Sequence, residues 1–216
     1  MVAVSDSATT SLPPERRRRL LETAAREFAA AGYEQASLNR IIRACGMSKS
    51  SFYYYLDSKR ELFELVVREL SDSLVRQLRI PEAEEFAVDF WASTLRLLER
   101  LADLAEREPL FTDLGRMFHL PGVPTGHGAA VDSAVAAAEG WLDRALAAGR
   151  ARGAVRDDLP LGLQRHVTFA VLRAFDEWTL RHLAALERAE SERLVRAQFE
   201  ALRRLLAPRH ETEENA

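Results

Sequence analysis

The chain is poor in residues that staple, kink or anchor a protein. It holds one cysteine, Cys45, in 216 residues, which excludes an intramolecular disulfide and points to a reducing compartment. Glycine and proline number only 10 and 8 and fall in clusters, and β-branched runs are almost absent. A sheet-rich fold is thereby disfavoured. No apolar stretch approaches the ~20 residues that cross a bilayer. The opening MVAVSDSATTSL lacks the basic start and apolar core of a signal peptide. CxxC pairs, phosphate-cradling glycine loops and nucleophile elbows are missing as well. The five histidines, His119, His127, His166, His182 and His210, form no ligand pattern with carboxylates. No metal, cofactor or catalytic group is expected, and a soluble cytoplasmic protein is.

What is abundant is helix former. Apolar residues make up 47% of the chain, with Leu, Ala, Arg and Glu prominent. An all-α protein follows. Its net charge of −3 hides an asymmetry: residues 1–60 carry ten Arg/Lys against six Asp/Glu, and the remainder is acidic. A basic end on an acidic body points to nucleic-acid contact at that end. Arg16 to Arg19 read chiefly as a solvated helix face, with phosphate contact as the alternative.

Helical periodicity sets the organisation. After an arm over residues 1–13, Pro13-Pro14 opens a first helix with Leu21, Ala24, Ala25 and Phe28 inward, closed by Gly32. Ser37 caps a short second helix whose stripe is Leu38, Ile41, Ile42 and Cys45, the cysteine reading as core. Gly46 stops it, and Ser48 caps a third helix, Lys49 to Tyr55. Ser58-x-x-Glu61 has the form of a capping box and starts a long helix with Phe63, Val66, Val67, Leu70 and Leu74 inside. Further helices are expected over 84–106, 109–119, 129–150, 160–188 and 191–207, nine in all. The Pro/Gly-rich 120–128 is the interior loop, and 209–216 is a charged tail.

Residues 37–59 carry the chemistry. Two short helices joined by a glycine turn, preceded by a third, make a trihelical helix-turn-helix. In the second short helix Phe52 and Leu56 suit the core, while Lys49, Ser50, Ser51, Tyr53 and Tyr54 suit a major groove. The stretch ASLNRIIRACGMSKSSFYYYLDSKRELF resembles the DNA-binding domain of the TetR/AcrR family, over roughly Glu15 to Leu70. The resemblance implies backbone or outer-base contacts for Ser37 and Asn39, and base-facing positions for Lys49, Ser50, Ser51 and Tyr54. It implies phosphate contacts for Tyr53 and Lys59. The sequence departs from the family pattern at Ser50, where glycine or proline is common, and at Tyr54 and Leu56, where histidine and phenylalanine are. Residues 14–57 are then the DNA-binding head and 58–208 a ligand-binding and dimerisation body.

In the body, Trp91, Phe111, Phe118, Trp141 and Phe169 are the expected lining of an effector pocket, with His119, His166 and Arg173 as its polar handles. The family resemblance pairs the last two long helices with their two-fold mates, through Val167, Ala170, Val171, Ala174 and Trp178 on one and Leu194, Ala201, Leu202 and Leu205 on the other. The function implied is a homodimeric regulator that releases a palindromic operator when a small hydrophobic or amphipathic effector binds. Two other classes stay open: a helical small-molecule-binding or scaffolding protein with a degenerate head, and an enzyme built in the body.

Overall fold

The structure, a computed structural model, describes residues 12–126 and 129–208. The remaining arm, His127, Gly128 and the tail with His210 lie outside the described residues. Among the described residues there are ten α-helices, one 3-10 turn and no strand. They are α1 (Pro14–Gln35), α2 (Leu38–Ala44), α3 (Lys49–Tyr55), α4 (Lys59–Leu78) and α5 (Ala83–Val88). There follow α6 (Phe90–Arg107), α7 (Pro109–Phe118), α8 (Ala130–Ala151), α9 (Leu161–His182) and α10 (Arg188–Leu206). The fold is all-α, as composition requires.

α1 is interrupted at Gly32 (φ 76°, ψ 161°), where the sequence placed its end, and a short continuation runs to Gln35. Two later boundaries differ from the periodicity, and both turn on acidic caps. The helix expected over 84–106 is broken at Asp89, whose extended backbone (φ −151°, ψ 94°) ends α5. Its carboxylate then accepts the Ala92 amide at 3.0 Å and caps α6. Likewise α9 stops at His182, and α10 begins at Arg188, three residues before Ser191, with Glu187 as its cap in a reciprocal capping box with Glu190.

The chain divides into two compact units. The first contains the described residues up to Leu74, with Glu108–Ala134; the second contains Val75–Arg107 and Val135 onward. In the first, α1 packs on α2 and on α7. Leu20, Ala24, Ala25 and Phe28 of α1, Ile41 and Ile42 of α2, Phe52 of α3 and Leu62, Phe63, Val66 and Val67 of α4 are buried. Leu12, assigned from sequence to the arm, is buried too. Phe28 meets Phe63 edge-on at 5.1 Å, and Tyr33 meets the same ring at 5.1 Å. Each such side chain contributes about 1.5–3 kcal/mol by burial. Glu64 of α4 accepts the Ala130 amide, placing a carboxylate at the N-terminus of α8, where the helix dipole favours it.

The second unit is built on Phe86, Phe90, Leu142, Ala145, Leu146, Val155 and Leu206, with Trp91, Trp141, Phe169 and Leu205 packed against them. Gly149 is obligatory there, since a Cβ would fall 2.6 Å from Val155 Cγ2 and 2.7 Å from Phe90 Cδ2.

Candidate nucleic-acid interface

The helix-turn-helix is held by three connected devices. Gly46, at φ 67°, ends α2 in the left-handed conformation; its amide reaches Arg43 O at 3.0 Å and the Met47 amide reaches Ile42 O at 3.1 Å. This is a Schellman closure, and it sets the angle at which α3 leaves α2. Ser48 Oγ then accepts the Ser51 amide at 3.0 Å and caps α3. Finally, Arg19 of α1 donates to Ala44 O at 2.9 Å, tying the end of α2 to the first helix.

Within α3 the split between core and groove is clean. Phe52 is fully buried, while Lys49, Ser50, Tyr53 and Tyr54 are exposed, Tyr54 at 75%. Positions 49, 50, 53 and 54 share one side of a helix, so two phenols, a cation and a hydroxyl face outward together. Ser51 is half-buried. Ser50 Oγ lies 3.0 Å from Ser48 Oγ, which orients it.

Ser37 and Asn39 stand at the start of α2, and Asn39 is exposed. Ser37 Oγ accepts the Arg40 amide as a cap at 3.3 Å, which leaves its hydroxyl proton to donate outward. Sequence reasoning missed the residue that fixes this turn: Glu27 of α1. Its Oε1 accepts both the Ser37 amide (2.9 Å) and Arg40 Nη1 (2.7 Å). Nothing local marks it, because its partners lie ten and thirteen residues away.

Lys59 is placed differently from a simple phosphate contact. Its ammonium donates to the carbonyls of Tyr33 (2.8 Å), Glu34 (3.0 Å) and Ala36 (3.4 Å) and sits 4.9 Å from the centre of the Tyr33 ring. It therefore closes the end of α1 from the start of α4. The expected capping box is half-formed: Ser58 Oγ accepts the Glu61 amide, but Glu61 reaches past it to the Asp57 amide at 2.6 Å.

Cys45 is half-buried rather than core, with its Sγ 3.7 Å from Arg19 O, because it is the C-cap of α2 and the stripe ends before it. Burial pushes its thiol pKa up, against thiolate reactivity.

The expected pocket residues are not gathered in either unit. Phe111, Phe118 and His119 fall in the first, Phe111 buried; Trp91, Trp141, His166, Phe169 and Arg173 fall in the second. Trp141 Nε1 donates to Pro81 O at 3.0 Å, and His166 and Arg173 are exposed on α9. Of the expected dimer residues, Ala170, Ala174, Trp178 and Ala201 are exposed and Val167, Val171, Leu194 and Leu205 half-buried. Leu202 is buried in its own unit, because α10 turns Val195, Leu202 and Leu206 inward. Among the described residues no cluster of three potential metal ligands occurs, and no helix is long and apolar enough to cross a membrane.

A capped helix with a polar outer face, braced by two others, defines a helix-turn-helix within the first unit. Residues 20–66 match the family model described as bacterial regulatory proteins, tetR family. That match takes in the helix-turn-helix and parts of the helices on either side of it, 47 of the 216 residues. The chain is 40% identical over 68 residues to the uncharacterized HTH-type transcriptional regulator YdgC of Bacillus subtilis, a match over 28% of this chain and 35% of that one. It is 27% identical over 154 residues to the HTH-type transcriptional repressor AcnR of Corynebacterium efficiens, over 71% and 76% of the two chains. The match thus spans about a third of YdgC and three quarters of AcnR. Among solved structures, a tetR family regulator from Shewanella sp. PV-4 superposes with TM-score 0.70 at 18% identity, covering 90% of this chain and 99% of that one. AibR, solved in complex with isovaleryl coenzyme A and operator DNA, gives 0.67 at 19%, covering 86% and 97%. At these identities the structures share the fold.

Proposed function

We propose that this chain is a homodimeric, sequence-specific repressor that acts in the cytoplasm, binds a palindromic operator and releases it when a small hydrophobic or amphipathic effector binds the body. The observation that carries the reading is α3, where Phe52 is fully buried and Tyr53 and Tyr54 stand 52% and 75% exposed on a capped, braced helix. Ser50, Ser51, Lys49 and Tyr54 read base edges; Tyr53 holds the backbone, and Ser37 and Asn39 meet the backbone or an outer base. AcnR's description as a repressor supports the direction of control, and AibR's complex supports pairing an operator with an acyl thioester-sized effector.

Self-association is supported by the face of α9, where Leu163 and Trp178 stand 48% and 45% exposed and the small Ala170 and Ala174 permit close approach. A two-fold dimer sets recognition helices about 34–36 Å apart on successive major grooves. The effector enters the helical body, where Trp91, Trp141 and Phe169 offer aromatic surface. A hundredfold loss of operator affinity requires about 3 kcal/mol of coupling between the two ligands.

Selection of random duplexes by the purified protein, followed by footprinting at several salt concentrations, tests this. A protected near-palindrome with a steep salt slope is expected; retention without sequence preference overturns the reading. Tyr54→Ala is expected to change base preference by about 1–3 kcal/mol at one position per half-site while leaving thermal stability intact. Equal loss on operator and random duplex would make Tyr54 a backbone contact.

A further inference from the structure

A second cationic surface lies beside the recognition helix. A cleft of about 950 Å³ separates α1 from the α2–α3 turn. Its α1 wall presents Arg16, Arg19 and Arg26, at spacings that keep them on one side of the helix. Its other wall is the turn itself, residues 44–48, and it ends on Ser51 of α3.

The charges in this cleft are not equivalent. Four guanidiniums and two carboxylates line it, so the wall is net positive. Both carboxylates, Glu15 and Glu22, are taken by Arg18, at 2.9 and 3.2 Å. Arg19 commits one arm to Ala44 O. Arg16 and Arg26 are exposed and make no ion pair within 4 Å among the described residues, although Arg26 lies near enough to Asp113 of α7 to favour its charged form. The turn also leaves room, since a Cβ built on Gly46 would meet nothing within 4 Å.

We propose that this cleft seats the phosphate backbone next to the bases read by α3, with Arg16 and Arg26 as its anion-binding cations; the inference rests on the operator-binding reading above. Guanidinium forks match phosphate oxygens and stay charged at all working pH. Ten residues of helix separate Arg16 from Arg26, about 15 Å, comparable to about four base-pair rises of 3.4 Å along the duplex axis. Sharing an edge with the recognition helix at Ser51 makes one duplex the occupant that satisfies both surfaces. The interface then extends beyond α2 and α3, and its extension carries affinity and salt dependence without sequence information.

The test compares the wild type with Arg16→Gln/Arg26→Gln on a selected operator and on the same operator trimmed at its flanks. Each lost phosphate contact lowers the slope of log affinity against log salt by about 0.9, so the double variant's slope falls by about 2. Between 50 and 200 mM salt, the wild-type advantage shrinks by about tenfold. Base preference and melting temperature stay unchanged, and trimming the flanks brings the wild type down to the variant. An unchanged slope in the variant, or an unchanged gap on the trimmed duplex, overturns the inference while operator binding stands. A wild type without sequence preference overturns the operator reading itself.

Discussion

The two units are closed by different means. In the first, fully buried apolar side chains (Leu20, Phe28, Ile41, Phe52, Phe63) meet at the centre, and short-range caps at Ser37, Gly46, Ser48 and Ser58 shut the turns, with Arg19, Glu27 and Lys59 bracing them from other helices. In the second, a buried polar hub does this work. Gln164 is 1% exposed; its Oε1 accepts Arg150 Nε at 2.7 Å and its Nε2 donates to Arg156 O at 3.0 Å. Arg150 also donates to Leu159 O, and the Arg156 amide reaches Leu206 O at 2.8 Å, so one side chain organises the α8–α9 connection beside the end of α10. A dry core with local caps holds one geometry, which suits presenting α3 to a groove. A hub of directional bonds loses several contacts together when one is broken.

Mutations sharpen this contrast, beginning with the largest expected effect. Phe52→Ala empties a fully buried site in the first unit and should cost about 3–5 kcal/mol, read as a fall in the denaturant midpoint. A cost under 1 kcal/mol would show that α3 repacks. Lys59→Ala removes a charged donor from three carbonyls and should lower stability by about 1.5–3 kcal/mol, with loss of DNA binding following the fold. Full stability with weakened DNA binding would restore Lys59 to a purely phosphate role. Gln164→Leu leaves Arg150 and Arg156 O short of partners, an expected loss of about 1–3 kcal/mol. Faster hydrogen exchange should appear around residues 149–164 and spare α1–α3; exchange rising equally in the head would erase the distinction between the units.

The smallest effect concerns Asp113 on α7. Burial raises its carboxyl pKa, against the opposing pull of Arg116 at 3.2 Å. The folded state therefore holds this proton more tightly than the unfolded chain. Its contribution to stability is greatest at acid pH and falls as pH rises through the carboxylate range towards the raised folded value. Asp113→Asn should flatten that part of the stability–pH curve; an unchanged curve would mean that the Arg116 bond compensates burial fully.

Much of the head was legible because its signals are short-range. Ser37, Gly46 and Ser48 cap and turn within four residues of themselves, and the spacing of Phe52 against Tyr53 and Tyr54 follows from helical period alone. The breaks at Asp89 and Glu187 were readable in principle, since acidic N-caps mark both, but apolar periodicity runs through them and masked the signal. The pocket and dimer assignments rest on a less specific signal. Aromatic residues suit a core and a cavity equally, so Trp141 bonded to Pro81 O and exposed His166 and Arg173 were outside the reach of composition. Leu202 illustrates the same limit, because a stripe on α10 has two directions in which to be buried.

The sequence by itself determined the helical class, the caps of the reading head and the residues it turns outward, because these depend on backbone groups and periodicities a few residues apart. Only the tertiary structure decided that Glu27 braces the start of α2, that Lys59 closes α1, that Gln164 organises the second unit and that Arg16 and Arg26 border a cleft beside α3. Each of those depends on partners brought together from separate helices, and hydrogen-bond direction and exposure exist only once the chain has packed.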